Sequence, residues 1–272
     1  MNIQIPKIVF IVPYRNREKE KLHFSVYMRY IMEDYDDKDY EIYYSHQCDT
    51  RPFNRGATKN IGFLAIKNKY PDDYKNITFV FNDIDTIPAS KNLFSYETKS
   101  GEVKHFYGFK FSLGGIFSII GEDFEKCGGF SNNWGWGLED NIMQKHVLEK
   151  NIKINREQFY PLNSKEIIHL YDSPYRLINN RDPANYSKNK IYDTLNKIHN
   201  LKIDIENNIE NSSINSKNEF IINIKQFNTL INSDNEIFYN QNIQKNTKLR
   251  TNFYENTVRK QSWNMNRFLN MK

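Results

Sequence analysis

Three short apolar runs separated by two helical stretches, all within the first 83 residues, limit what this chain can fold into more than any other feature. KIVFIV (7–12) reads as a buried strand, and the charged stretch from Arg15 to about Glu33 has helical spacing. YEIYYSHQ (40–47) reads as a second strand, NRGATKNIGFLAIKNKY (54–70) as a helix and ITFVFND (77–83) as a third strand. This βαβαβ order predicts an α/β fold with a mostly parallel central sheet and helices on both faces, because parallel neighbours need a crossover and each helix must bury its apolar stripe. Ligands gather at the carboxyl ends of such strands. A KSGE turn (99–102) followed by HFYGFKFSLGG (105–115) and IFSII (116–120) predicts a small additional sheet.

The chain is long enough for one large domain, and 39% apolar with 15% aromatic residues excludes disorder over its whole length. Residues 1–227 are expected to form the domain. Residues 228–272, rich in Asn and Lys, are expected to be an extension packed on it or on a partner. The two cysteines, Cys48 and Cys127, make neither a disulfide framework nor a CxxC zinc pair, which points to a reducing compartment. The apolar run near the amino terminus is broken by Pro6 and Lys7 and no later run reaches eighteen residues, so no membrane anchor is expected. A net charge of +5 with bases interleaved among acids gives no stripe for phosphate backbones, so the expected partner is an anionic small molecule and not a nucleic acid.

Four passages carry chemistry. In FVFNDIDTIP (79–88) an apolar strand runs into Asp83 and Asp85, which alternation would place on one face, where a divalent cation bridging to a diphosphate would relieve their repulsion. A solvated turn is the plainer alternative. VPYRNRE (12–18) ends the first strand with Arg15 and Arg17, and FNRGATKNIGF (53–63) puts Arg55 at a helix start; guanidinium forks suit phosphate, although surface arginines look the same. In GGFSNNWGWGLEDN (128–141), Trp134 and Trp136 alternate with glycines as a hinged aromatic lid would, and indole stacks on sugar rings. Glu139 and Asp140 follow at the amino end of a helix, where ordinary first-turn acids are also common.

Together these passages, with LGGIFSI (113–119) and YDTLNKI (192–198), resemble the β-1,4-galactosyltransferase family, inverting enzymes of the GT-A fold, over roughly residues 7–227. The resemblance implies a metal-dependent transfer of a hexose, most simply galactose, from a UDP-sugar to a sugar or glycan hydroxyl. It implies UDP-sugar contacts from Pro13, Arg15, Arg17, Arg55, Asp83, Gly115 and Trp136, with Asp140 as general base and Glu139 on a sugar hydroxyl. Asp85 and His169, in KEIIHLYD, match metal ligands for Mn2+. Where the family has a methionine three residues before that histidine, this chain has Glu166. As a third ligand it would make Mg2+ better tolerated, while with Glu166 in solvent the metal would rest on Asp85, His169 and water. Ser112 stands where relatives often have an aromatic residue, which leaves room for N-acetylgalactosamine beside galactose. Animal members carry an anchor and disulfides, and because no anchor is expected here and Cys48 and Cys127 match no bridge partners, this chain is expected to be cytoplasmic, in the host cytoplasm if viral. A catalytically silent sugar-nucleotide or glycan binder on the same fold is the alternative.

Overall fold

A computed structural model describes residues 4–171, 173–179, 193–207 and 217–242. Strand β1 (Ile8–Tyr14) is buried along its whole length, as a parallel strand covered on both faces must be. It is paired in parallel with β2 (Tyr40–Gln47) on one side and β3 (Thr78–Asn82) on the other. Helix α1 (Glu18–Ile31) covers one face, where its Phe24, Met28 and Ile31 meet Ile8, Phe10 and Val12. On the opposite face Val9 and Ile11 meet Ala57 and Ile61 of α2 (Arg55–Lys69). The βαβαβ unit is thus formed as the apolar spacing predicts.

The central sheet grows at both edges. Beyond β3 come β6 (Ile116–Ile120) and β5 (Glu102–Gly108), both joined antiparallel, and then β7 (Lys153–Asn155) and the two-residue β8 (Tyr160–Pro161), each parallel to β5. On the other side β12 (Glu219–Asn228) runs parallel to β2 and carries β11 (His199–Asn207) antiparallel at the edge. Residues 105–120 therefore extend the main sheet instead of making a separate small one. Every residue of β6 is buried, with Phe117 opposite Phe81, so β6 needs cover on both faces and finds it only beside β3.

The small sheets are two-stranded and lie elsewhere: β4 (Thr86–Pro88) with β9 (Ile167–His169), and β10 (Tyr175–Asn179) with β13 (Phe238–Asn242). Two further helices, α3 (Gly121–Cys127) and α4 (Glu139–Glu149), join α2 on its face through Phe124, Met143 and Val147. After β12 the chain returns to the domain, where Ile231 donates its N–H to Asp193 at 3.0 Å and accepts from Trp134 Nε1 at 2.8 Å. The remainder of the expected extension, 243–272, lies outside the described residues, as does Tyr192 of the YDTLNKI motif. No described helix is long and apolar enough to cross a membrane.

Candidate active site

The site forms where β1 and β3 end. Pro13 and Asp83 each stand two residues beyond the last paired position, Ile11 with Phe81. Strand β3 stops at Asn82, whose side-chain amide donates to the carbonyls of Asp83 and Thr86, each at 2.8 Å, and so ties residues 83–86 into a turn. Asp83 and Asp85 consequently do not share a strand face, contrary to the alternation argument. Asp83 turns toward Arg55 and Lys59 of α2, and Asp85 turns toward His169 of β9.

The first group centres on Arg55. Asn54 caps α2 by accepting from the Ala57 N–H at 2.9 Å, while its own amide donates to the Asn132 carbonyl at 2.8 Å, so the helix start is pinned to the segment leading into α4. Arg55 Nη2 donates to both oxygens of Asp83 at 2.5 and 2.6 Å. Its Nη1 donates to Glu139 and, at 2.9 Å, to Asp140 Oδ2. Although burial works against its charge, Asp140, Asp83 and Glu139 hold Arg55 far above its ordinary pKa. Burial would raise Asp83, but Arg55 and then Lys59 outweigh it and bring Asp83 below the usual carboxylate range. Glu139 goes the other way: only 4% exposed and beside Asp140, it is pushed up toward its neutral form.

Helix α4 begins abruptly. Leu138 sits at φ 72°, a conformation that costs a non-glycine residue about 1 kcal/mol, so the chain tolerates strain where the two acids enter the site. The Asp140 carbonyl accepts from Leu113 N–H at 3.0 Å, and a β-carbon at Gly114 would overlap the Asp140 carboxylate. Gly115, at φ 69°, lies against Tyr107, and its carbonyl accepts the Asp83 N–H at 2.9 Å. The LGG motif is therefore the floor on which both acids rest.

The second group is Asp85 with His169. Pairing of β4 with β9 sets Thr86 opposite His169 and leaves His169 Nε2 3.8 Å from Asp85 Oδ2, both side chains about a quarter exposed. His169 Nδ1 lies 3.3 Å from the Tyr107 hydroxyl, which orients the ring. The nearby Asp85 carboxylate raises the His169 pKa against the opposing effect of burial. One hard oxygen and one imidazole nitrogen facing each other would suit two ligands of a single divalent cation. Glu166 does not join them. It sits at the far end of β9, where its carbonyl accepts from Ala89, and no group of three His, Cys, Asp or Glu residues able to hold a metal occurs among the described residues.

The other expected residues flank these groups. Pro13 is buried at the end of β1 opposite Ser45, and Arg15 is folded onto the carbonyls of Asp49, at 2.9 Å, and Arg51. Arg17 reaches Glu20 at 3.7 Å. Trp136 is 43% exposed, and its backbone N–H donates to the Leu177 carbonyl of β10 at 2.8 Å. Trp134 is no part of a lid: it is 2% exposed, stacked on Phe227 with ring centroids 5.5 Å apart and covered by Arg51. Gly135 between them, at φ 83°, turns one indole inward and the other outward.

Two residues escaped the sequence reading. Lys59 lies one helical turn after Arg55 and reaches Asp140 Oδ1 at 3.1 Å; the i, i+4 spacing puts it on the face of Arg55 but does not by itself single it out. His105 had none. It is buried under the floor, and its Nδ1 accepts from Arg156 Nε at 3.1 Å, which leaves Nε2–H to donate to the carbonyls of Tyr107 and Gly114 at 3.0 and 3.2 Å. Burial, followed by the Arg156 charge, pushes its pKa down from 6.5 to about 4. A depressed histidine stabilises the fold fully above its unfolded value and loses that contribution as pH falls through its folded one. Denaturant unfolding should show about 3 kcal/mol of stability lost between pH 6.5 and 4 from this residue, and His105→Gln should flatten that slope.

Comparison with known proteins decides the family. A model described as the N-terminal region of glycosyl transferase group 7 matches residues 3–97, and one described as the N-terminal domain of galactosyltransferase matches 98–173. This chain belongs to the β-1,4-galactosyltransferase family. Among curated members, β-1,4-galactosyltransferase 4 of Mus musculus is 33% identical over 164 residues, covering 56% of this chain and 45% of its own length. β-1,4-galactosyltransferase 7 of Homo sapiens is 29% identical over 178 residues, covering 62% and 52%. The chain spans about half the length of the curated relatives it matches. Among solved structures, a mutant of Drosophila β-1,4-galactosyltransferase 7 in complex with manganese, UDP-Gal and xylobiose superposes with a TM-score of 0.64 at 22% identity, covering 81% of this chain and 94% of that one. The catalytic domain of the same enzyme with xylobiose gives 0.60 at 24% identity. The α/β architecture is thus the GT-A fold of the β-1,4-galactosyltransferase family.

Proposed function

We propose that this chain transfers a hexose, galactose in the first instance, from a UDP-sugar to a hydroxyl of a sugar or glycan acceptor, with inversion at the anomeric carbon. The observation that carries the reading is Asp140: a carboxylate about one fifth exposed, clamped between two cations at the carboxyl edge of the sheet and sharing Arg55 with Asp83, two residues before Asp85. The Drosophila relative, which holds manganese, UDP-Gal and xylobiose, supports the same donor and cofactor here.

The chemistry needs one base. The acceptor oxygen attacks the anomeric carbon from the face opposite the diphosphate, the bond from that carbon to the diphosphate oxygen breaks, and UDP leaves with the electron pair. The hydroxyl proton passes to Asp140. Glu139 is not a competing base, because its side chain is 6% exposed and bonded to Arg55, whereas that of Asp140 is 21% exposed. It is placed to steady Arg55 from the protein side. Arg55, at the donor edge, offers positive charge for a departing diphosphate. When bound between Asp85 and His169, a divalent cation such as Mn2+ supplies a further counter-charge to that diphosphate.

The decisive experiment is a donor screen with Mn2+, reading UDP release and then product mass and anomeric configuration on candidate sugar acceptors. Transfer of galactose with inversion is expected, and absence of transfer from every UDP-sugar sinks the reading. Turnover of UDP-N-acetylgalactosamine is compared in parallel, since the Ser112 site sets no bulky ring there. The cation site has its own test. Loss of a residue merely supporting a metal ligand costs about 10- to 100-fold in affinity, so Asp85→Ala should weaken Mn2+-dependent UDP binding about a hundredfold and leave Mn2+-free binding unchanged. Calorimetry with and without Mn2+ reads both, and undiminished Mn2+ dependence would mean the cation is held elsewhere.

A further inference from the structure

Arg55 is shared. One guanidinium serves Asp83, Glu139 and Asp140 at once, with Nη1 split between the last two. A donor divided in this way cannot by itself hold the Asp140 carboxylate in one rotation about its Cβ–Cγ bond, because either oxygen could take the single contact. The structure places a second cation on the other oxygen. Lys59 Nζ lies 3.1 Å from Asp140 Oδ1 while Arg55 takes Oδ2, and the same ammonium lies 3.6 Å from Asp83 Oδ1. Lys59 is 1% exposed, and its ammonium stands 4.5 Å from the centre of the Phe130 ring, a setting that a strongly hydrated lysine takes up only when charge partners compensate for the lost water. Its place four residues after Arg55 fixes both cations on one face of α2, and the pinned start of that helix fixes the pair against α4.

We propose that Lys59 is a positioning residue for sugar transfer, one that locks the Asp140 carboxylate in the orientation from which it takes the acceptor proton. Buried behind the acids, Lys59 is out of reach of a nucleotide arriving from solvent, so its effect falls on the chemical step and not on donor binding. The inference rests on Asp140 being the base of the transfer proposed above.

The test replaces Lys59 with methionine, similar in length and uncharged, and with glutamine, which keeps a donor but drops the charge. Misorientation of a catalytic group costs about tenfold to a hundredfold, and that fall in kcat is expected for both variants, with KM for donor and acceptor and the calorimetric UDP affinity within about twofold of wild type. A second reading needs no activity: Lys59→Met should destabilise the Asp140→Asn background markedly less than it destabilises the wild type, because the partner is already altered. An unchanged kcat overturns the proposal. So does a loss of kcat, both KM values and UDP affinity together, an equal stability cost in both backgrounds, or failure of both variants to fold, each of which would make Lys59 simply part of the scaffold. A wild type that transfers no sugar overturns the proposed function itself, an outcome distinct from an active wild type whose Lys59 variants are unaffected.

Discussion

Asp140→Asn should abolish transfer, with kcat down at least about a thousandfold, while UDP-sugar affinity stays within about threefold of wild type or tightens. An amide is nearly isosteric with the carboxylate but cannot accept the acceptor's proton as the new bond forms. Donor binding should survive because Asp140 belongs to the group around Arg55 and not to the Asp85–His169 pair. The slight tightening has an electrostatic origin: one anion fewer faces the incoming diphosphate beside Arg55. The variant should also pay in stability. An amide has one oxygen, so its NH2 must face either Lys59 Nζ or Arg55 Nη1, donor against donor, at a cost of about 1 to 3 kcal/mol. Single-turnover kinetics with calorimetry separate the two effects, and a loss of UDP affinity as large as the loss of rate would move Asp140 from proton acceptor to donor binding.

Arg55→Met should be the most destabilising single change at the site, by about 3 to 5 kcal/mol, since removing one partner from a buried ionic group leaves the others uncompensated. Here Asp83, Glu139 and Asp140 would be left with Lys59 alone among the described cations. The effect has a pH signature with a definite sign. Acids stripped of their cation bind protons more readily in the folded state than in the unfolded one, so protonation favours the folded variant and its deficit relative to wild type shrinks as pH falls through about 5. In the wild type Asp83 acts in the opposite sense: its depressed pKa contributes stability that is lost as pH falls through the folded value. Paired urea titrations at pH 7 and pH 5 measure the gap. A gap that stays constant would mean that the three acids relax into water when Arg55 is removed.

The βαβαβ unit was legible because its signals are local. Runs such as IVFIV and FVF state their own burial, and the helix between Asn54 and Tyr70 carries both its cap and its stripe. What failed needed distance information. Asp83 and Asp85 look like one strand face in the sequence, and only the Asn82 side chain, by closing a turn, divides them between two partners. Trp134 and Trp136 look equivalent, yet the first meets Phe227 and Ile231, nearly a hundred residues on, and becomes core. The apolar run in 116–120 shows a buried strand but not which neighbour it takes. Lys59 was hidden by composition, because in a chain with 38 Lys and Arg a single lysine on a helix face says nothing until its partner 81 residues away is in view.

The two-stranded ribbon of β10 and β13 bears on how the protein would respond to cleavage. Trp136 hangs by its backbone N–H from Leu177, and Leu177 lies opposite Asn240, so the exposed indole beside the candidate site is tethered through β10 to a strand that arrives about a hundred residues later. A protease cut in the stretch between Asn228 and Phe238, where Leu230 and Ile237 are exposed, would free β13 and leave β10 as an unpaired edge. Nicking there would leave Asp140, Arg55 and the central sheet untouched and still loosen the backbone that aims Trp136. The last described strand thereby makes the integrity of a remote peptide segment a condition for an ordered surface around Trp136.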